Sequence, residues 1–292
     1  MSNKSKHFLL QACKILVILS CLSYLGWQLR LEKFNWNAVN IFLSDLPTSL
    51  YFLLPLLSIL SWFVESYKWK LLVQDLRSLR FRESVIQNFT AQAASFITPL
   101  KAGEFAAKAF YFPYNIRKKV LKAVLVGNLS QMAVTVILGT AGIALLIEIQ
   151  FIATVIIAGG AGLVILLSRS IFQWFDYRGA NIATITGISF FRYVIFSSCW
   201  ILVLLTISNV SILLILGSIT AMYLAASIVP TIQLFDVFLK WSIASFFVGY
   251  LDISLESMTA IVAIIWLNNT VLPVLLGCIL LAFQRFPNVA TV

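Results

Sequence analysis

Residues 120–146 read VLKAVLVGNLSQMAVTVILGTAGIALL, a stretch in which Lys122 is the single charged residue. A helix of about 20 apolar residues crosses a hydrocarbon core of about 30 Å, so this stretch is long enough to span a membrane. A helix is also the structure expected for it, because each unpaired backbone group in lipid costs several kcal/mol. Outward from this stretch, further apolar runs that predict spans lie at 8–29, 46–73, 149–168, 182–207, 210–229 and 257–284.

The composition of the whole chain also indicates a membrane protein. Of its 292 residues, 61% are hydrophobic and 11% are charged, with a mean hydropathy of +0.96, whereas about 25% of the residues of a soluble domain are charged. These values exclude a soluble domain of this length and leave no hydrophilic stretch for an appended enzyme domain. We predict an all-α polytopic integral membrane protein with about seven to eight transmembrane helices. It would be a single transmembrane domain over 1–292, with possible halves 1–148 and 149–292.

The basic residues predict an orientation. The net charge is +10, and eleven of the 21 cations lie between Glu65 and Lys122, together with four acidic residues, Glu65 included. Because cytoplasmic loops carry the Lys/Arg excess, we predict that this region and the N-terminus are cytoplasmic, in a multi-pass protein of the bacterial inner membrane. Lys14 interrupts the first apolar run, which favours a retained helix over a cleaved signal peptide.

Two apolar segments, 84–112 and 231–250, have breaks in their pattern. In the first, Pro99 and Gly103 interrupt the helix, so we expect the backbone to bend back rather than to cross. Lys101, Glu104 and Lys108 follow at spacings of three and four, which places them on one helix face. Glu104 and Lys108 also have the favourable orientation for an ion pair.

The second segment repeats this pattern after Pro230. Gln233, Asp236 and Lys240 have the same spacing of three and four, and the acid and the lysine each lie 132 residues after their counterparts. Broken helices at corresponding positions of two halves indicate a transporter-like binding site. The match rests on single residues, so chance is an open alternative, and 231–250 is either a span or a re-entrant segment.

Other polar residues within apolar runs have two interpretations each. Arg192 either extends to the cytoplasmic surface or faces a cavity and binds phosphate. Asp236 and Lys240 form either a packing pair or a functional one. We expect interhelical hydrogen bonds from two polar groups, one made up of Asn128, Gln131 and Thr135 and the other of Asn268 and Asn269. Glu65 and Lys68, at the end of the second predicted span, are interpreted as membrane-interface residues.

Several kinds of chemistry have no support in the sequence. The four cysteines lie in apolar stretches without paired spacing, and His7 is the single histidine, so we expect no metal site and no histidine-based catalysis. No phosphate-binding GxxxxGK loop is present. We therefore predict no cofactor, no catalytic residue and no nucleic-acid partner.

Two motifs resemble a known family. Residues 98–108 contain the order Pro99, Gly103, Glu104, and a basic stretch leads to Gly127-Asn128-Leu129-Ser130-Gln131. This is similar to the Pro-x-x-x-Gly-Glu signature of the lysylphosphatidylglycerol synthase transmembrane-region family. That family has a glycine-rich motif in its second half, and the segment from Pro230 to Asp236 lacks the glycines. The resemblance implies the lipid-flipping membrane half of such an enzyme without its soluble synthase domain, acting as a homo-oligomer or with a separate synthase.

The resulting hypothesis is an inner-membrane lipid flippase or lipid-binding transporter with a charged cavity inside the membrane. Its expected ligand is the headgroup of a phospholipid or a polyprenyl phosphate. Four cations are expected to attract the phosphate, and two acids to hold those cations or to contact a cationic headgroup; the residues are Lys101, Lys108, Arg192, Lys240, Glu104 and Asp236. Two alternatives are open: a membrane-embedded transferase with Glu104 as its base, and an accessory membrane subunit.

Overall fold

The computed structural model describes residues 35–175, 180–229 and 231–283, with side chains from 161 and 164–175 left aside. The predicted first span 8–29 and Pro230 lie outside the described residues. We number the helices in chain order: α1 Trp36–Asp45, α2 Thr48–Leu72, α3 Phe81–Phe96, α4 Ala102–Phe110, α5 Arg117–Leu146, α6 Gln150–Phe175, α7 Ile182–Ile207, α8 Ile212–Ile228, α9 Asp236–Ala244, α10 Val248–Leu251, α11 Leu255–Trp266 and α12 Leu272–Ala282.

The described residues form an all-α structure without β-strands, as predicted. Among these described residues, five helical segments can cross a membrane by length and composition: Thr48–Leu72, Tyr114–Leu146, Ile182–Ile207, Gln233–Leu251 and Leu255–Ala282. The chain is therefore a membrane-embedded, multi-pass protein, while the predicted count of seven to eight spans is not reached in the described ranges. The predicted runs 46–73, 120–146, 182–207 and 210–229 match the observed helix bounds closely, because each helix extends over one long apolar run.

Helix α7 defines the two ends of the bundle. At its N-terminal end, Ile182 and Ile185 pack with Trp69 and Leu72 at the end of α2 and with Val120 at the start of α5. At its C-terminal end, the Ser208 hydroxyl donates to the Leu251 carbonyl at 2.6 Å. With 26 residues, α7 is about 39 Å long. We call these the basic end and the opposite end, because the exposed cations Arg77 to Arg82 and Lys118 to Lys119 lie at the first.

The first predicted break is a helical hairpin, as expected. α3 and α4 pack against each other, and a Cβ on Gly103 would lie 2.1 Å from the Ala94 carbonyl oxygen, so only glycine permits the approach. The connection requires Leu100 and Lys101 to adopt φ values of 55° and 56°. Because α4 begins at Ala102, Lys101 lies before the helix and is exposed, and the predicted common face with Glu104 and Lys108 does not include it.

The second predicted break forms a hairpin from the other side. α8 begins at Ile212 near Ser208, and α10 ends at Leu251 beside the same residue, so 231–250 returns to the opposite end. The two hairpins meet at their tips. Pro99 and Ile232 form an isolated antiparallel β-bridge, and the Ser95 hydroxyl donates to Gln233 Oε1 at 3.0 Å. The breaks thus lie together, although Ile97 and Leu100 at the first tip are exposed.

Candidate functional site

A buried ionic cluster lies where α2 packs on α7. Lys68 Nζ lies 2.7 Å from Glu65 Oε2, and Arg192 Nε lies 3.3 Å from the same oxygen. Glu65 is 8% exposed and Lys68 1% exposed. The interpretation of these two as interface residues is therefore wrong. Their helix face packs against α5 and α7, and only an internal ion pair can compensate the burial of both charges.

Lys68 has further partners on the neighbouring helices. Its ammonium group donates to Ser189 Oγ on α7 at 3.3 Å and to the Gly127 carbonyl on α5 at 3.5 Å. A Cβ on Gly127 would lie 2.8 Å from Leu72 Cδ1, so the glycine permits close packing of α5 against the end of α2 at this point. A long cationic side chain is in this way held between three helices.

Arg192 points into the bundle rather than to the surface. Its Nη1 donates to Gln131 Oε1 on α5 at 3.4 Å, and its guanidinium lies over the Trp62 ring at 5.2 Å and near the Phe196 ring at 5.8 Å. Its side chain is 18% exposed. Of the two interpretations of Arg192, the described contacts exclude extension to the surface, because its partners are helix-interior residues.

A second ion pair adjoins this cluster on α4. Lys108 Nζ lies 2.7 Å from Glu104 Oε1, as the i,i+4 spacing predicts, and over the Trp69 ring at 4.5 Å. Asn128 Nδ2 on α5 donates to Glu104 Oε2 at 3.5 Å. Trp69, the ring under Lys108, directly follows Lys68 on α2, so the two ion pairs are neighbours. The predicted interhelical hydrogen bonds of Asn128 and Gln131 are confirmed, whereas Thr135 bonds to Gln131 O within α5.

Together these groups leave an excess of positive charge in the interior. The charged cluster, defined as Glu65, Lys68, Glu104, Lys108 and Arg192, has three cations and two carboxylates, so one positive charge is uncompensated when all are ionised. The neighbouring Gln131 Nε2 is a buried donor without a partner among the described residues. Buried charges are normally paired, so this arrangement is suited to an anion that supplies the missing charge.

Asp236 and Lys240 form a separate pair. Lys240 Nζ lies 2.6 Å from Asp236 Oδ2 on α9, and over the Tyr223 ring at 5.9 Å. Tyr223 stacks edge-on against Phe196 at 5.0 Å, and Phe196 is the ring near Arg192. The structure thus brings Glu104, Lys108 and Arg192 into one region, places Asp236 and Lys240 behind an aromatic layer, and leaves Lys101 at the hairpin tip.

The segment of Asn268 and Asn269 is a short π-helix, Leu267–Val271, between α11 and α12. Ser58 Oγ donates to the Asn268 carbonyl at 2.6 Å, and Trp62 Nε1 donates to the Asn269 carbonyl at 3.4 Å. Cys199 Sγ on α7 also donates to Asn269 Oδ1 at 3.8 Å, so the interhelical hydrogen bonds expected here are made both by the backbone and by the Asn269 side chain. π-Helical turns are frequent at functional sites, and this one packs on the face of α2 that also carries Trp62, the ring under Arg192.

Sequence reasoning missed the central members of the cluster. Glu65 and Lys68 have the i,i+3 spacing of an ion pair and lie seven and four residues before the end of a 25-residue span. Ionisable residues inside an apolar span face the bundle interior by default. That signal was present, but the basic residues that follow made the pair look like part of the membrane interface.

No protein-family model matches the chain, and no curated protein is significantly similar to it. The class that fold and site define is a membrane-embedded helical bundle with an internal charged cluster and two helical hairpins that meet at their tips. The resemblance to the lysylphosphatidylglycerol synthase transmembrane region stays a prediction.

Proposed function

We propose that the protein is a bacterial inner-membrane lipid flippase or lipid-binding transporter, in which the charged cluster holds the phosphate of a lipid headgroup. The observation that carries the proposal is that three cationic side chains share two carboxylates inside an apolar bundle. A charged group inside a membrane helix costs about 2.5–3.5 kcal/mol on insertion scales. Such a cost points to a functional reason for retaining three cations, and an anionic headgroup meets this electrostatic requirement.

The hairpins support movement of the headgroup as well as binding. α3 has 16 residues and α8 has 17, so each is about 24–26 Å long and shorter than the hydrocarbon core of about 30 Å. Discontinuous helices that meet inside a bundle are the element from which many transporters build a binding site with access to either side. The contact of Ser95 with Gln233 joins the two tips.

The residues have different roles in this proposal. Arg192 is the phosphate ligand, because a guanidinium presents several donors in a fixed plane. Lys68 and Lys108 supply charge from fixed positions, and Glu65 and Glu104 hold the cations in place when the ligand is absent. Lys240 and Asp236 form a second binding site for the headgroup, on the other side of the aromatic layer of Phe196 and Tyr223.

Translocation of a fluorescent phosphatidylglycerol in vesicles with the purified full chain tests the proposal. We expect Arg192→Gln to slow translocation on the order of tenfold, the effect of losing one charged hydrogen bond to the phosphate. Arg192→Lys should keep part of the rate, because it retains the charge. Lys119→Gln, which removes an exposed cation, is the matched control and should be neutral.

A second set of variants addresses the acids. Glu104→Gln and Asp236→Asn should both reduce the rate, because the lysine beside each loses its counter-ion. Unchanged translocation in Arg192→Gln, Glu104→Gln and Asp236→Asn, or no translocation by the wild type, would contradict the proposal. Thermal unfolding of each variant in detergent separates loss of function from loss of fold.

The transferase alternative receives less support from the geometry. A general base needs a carboxylate that is free to take a proton from its substrate. In Glu104, one oxygen pairs with Lys108 and the other accepts from Asn128. Lipid mass spectrometry of cells that overproduce the chain distinguishes the two functions, since a flippase relocates lipids and a transferase creates a new species.

A further inference from the structure

An apolar groove of about 580 Å³ lies on the outside of the seam between α2 and α7. Phe63 and Tyr67 of α2 form one wall, Ile188 and Phe191 of α7 form the other, and Phe81 at the start of α3 lines it as well. Its volume is within the range of ligand pockets, about 300–1,000 Å³. The groove is open, and its two walls belong to the helices whose inner faces carry Glu65, Lys68 and Arg192.

The open floor of the groove comes from a glycine. A Cβ on Gly187 would meet nothing within 4 Å, and Gly187 is one of the lining residues. Glycine in a helix interior costs about 1 kcal/mol relative to alanine. Neither a close helix contact nor a positive φ explains its presence, so the space beside it is what the residue provides.

Exposed arginines adjoin one end of the groove. Phe81 lies between Arg80 and Arg82 at the basic end of the bundle, and Arg77 precedes them; all three arginines are exposed. The acids in this turn are Asp75 and Glu83, and Glu83 Oε2 accepts from the Arg80 backbone N–H at 3.0 Å. An apolar groove thus adjoins exposed cations, an arrangement complementary to a molecule with a hydrocarbon tail and an anionic head.

We infer that this groove is a surface site for an anionic phospholipid, with an acyl chain against Gly187 and the phosphate held by Arg80 and Arg82. The choice of occupant follows from charge complementarity, because a zwitterionic lipid would gain little from the arginines. The site is distinct from the charged cluster, and the lipid held there is a bound component of the protein whether or not the cluster translocates lipid.

The test is photocrosslinking of the full chain in phosphatidylcholine vesicles that contain a trace of diazirine-acyl lipid. The probe is either phosphatidylglycerol or phosphatidylcholine, and labelled peptides are mapped by mass spectrometry. We expect phosphatidylglycerol to label the peptides around Phe63 to Tyr67 and Gly187 to Phe191 on the order of tenfold more than phosphatidylcholine, from two cations near a phosphate. Arg80→Gln combined with Arg82→Gln should abolish the preference, and Lys118→Gln combined with Lys119→Gln should leave it.

The groove itself is tested by filling it. Gly187→Leu should reduce labelling of these peptides severalfold, because the new side chain occupies the space for the acyl chain. Gly159→Leu is the matched control: a Cβ on Gly159 also meets nothing within 4 Å, but Gly159 lies on α6, away from the groove. Equal labelling by the two lipids, or labelling unaffected by Gly187→Leu, would overturn the inference.

Cysteine crosslinking detects two alternative occupants of the groove, a segment of the same chain and a second copy of the protein. If residues 8–29 of the chain fill the groove, Gly187→Cys will crosslink to Cys13 or Cys21 within one chain. If a second copy fills it, Gly187→Cys will crosslink to itself and give a covalent dimer. Either crosslink would overturn the inference. These measurements leave the translocation proposal untouched, since Arg192→Gln affects the cluster and not the groove.

Discussion

At the scale of single residues, burial determines the behaviour of the charged side chains. Glu65 interacts with two cations through one oxygen, so it is the residue that holds Lys68 and Arg192 together. Removing one partner of a buried pair leaves a charge without compensation, whereas removing both can be nearly neutral. The cluster is therefore more sensitive to single than to charge-balanced double substitutions.

We expect Glu65→Gln to destabilise the protein by about 3–5 kcal/mol, because Lys68 and Arg192 lose their shared carboxylate. Glu65→Gln combined with Lys68→Gln removes one charge of each sign and should recover much of that loss. Thermal or denaturant unfolding in detergent measures both. Asp75→Asn, at an exposed acid of the basic end, is the control. A double variant as unstable as the single one would show that Glu65 acts through something other than charge.

Sequence spacing predicts the local pairs at this scale. Glu104 with Lys108 and Asp236 with Lys240 follow from the i,i+4 rule, and both are present at 2.7 and 2.6 Å. The contacts of Arg192 with Glu65 and Gln131 were not predictable in the same way. They join residues 127 and 61 positions apart in the sequence, and spacing carries no information on such distances.

At the scale of elements, the two hairpins are the distinctive feature. Proline and glycine signal the breaks, because proline removes a backbone donor and glycine permits close helix approach. The sequence predicts that α3 and α4 bend back, and the Gly103–Ala94 contact shows how closely they pack. The bond between Ser208 and Leu251 places the end of 231–250 at the opposite end of the bundle, next to the start of α8.

We expect Gly103→Ala to destabilise the α3–α4 hairpin by about 1–3 kcal/mol, the usual cost of overpacking. The added Cβ would meet a backbone carbonyl, which cannot rotate away as a side chain does. Gly159→Ala adds the same methyl group where nothing lies within 4 Å and should be neutral or stabilising. The melting temperatures of the two variants in detergent make the comparison. A stable Gly103→Ala protein would contradict the packing described for this hairpin.

At the scale of the whole molecule, each loop lies either at the basic end or at the opposite end of the bundle, as defined by the two ends of α7. Ile147 and Asn209 lie in connections at the end opposite Lys119, and all three are exposed. With the four native cysteines replaced by alanine, single cysteines at these positions report the membrane topology. In intact cells, we expect Ile147→Cys and Asn209→Cys to react with a membrane-impermeant maleimide, and Lys119→Cys to react only after permeabilisation, because the positive-inside rule predicts a cytoplasmic location for the Lys/Arg-rich end.

The cysteines at positions 147 and 209 serve as a control for each other in that experiment. Ile147 and Asn209 must react alike, since α6 and α7 together return the chain to the same end. Reaction of all three cysteines from one side would contradict the bundle, and the reverse order of reaction would overturn only the predicted orientation.

The amino-acid sequence by itself determined the membrane class, the bounds of the long helices and the positions of the breaks. These depend on local quantities: the length of an apolar run, its period, and the conformations that proline and glycine allow. Only the tertiary structure decided that Glu65 and Lys68 are buried with Arg192, that Asp236 and Lys240 are set apart by Phe196 and Tyr223, and that the hairpin tips touch. The physical reason is that the burial and the ion-pair partners of a charged side chain depend on which helices surround it. Helix packing is a property of the whole bundle.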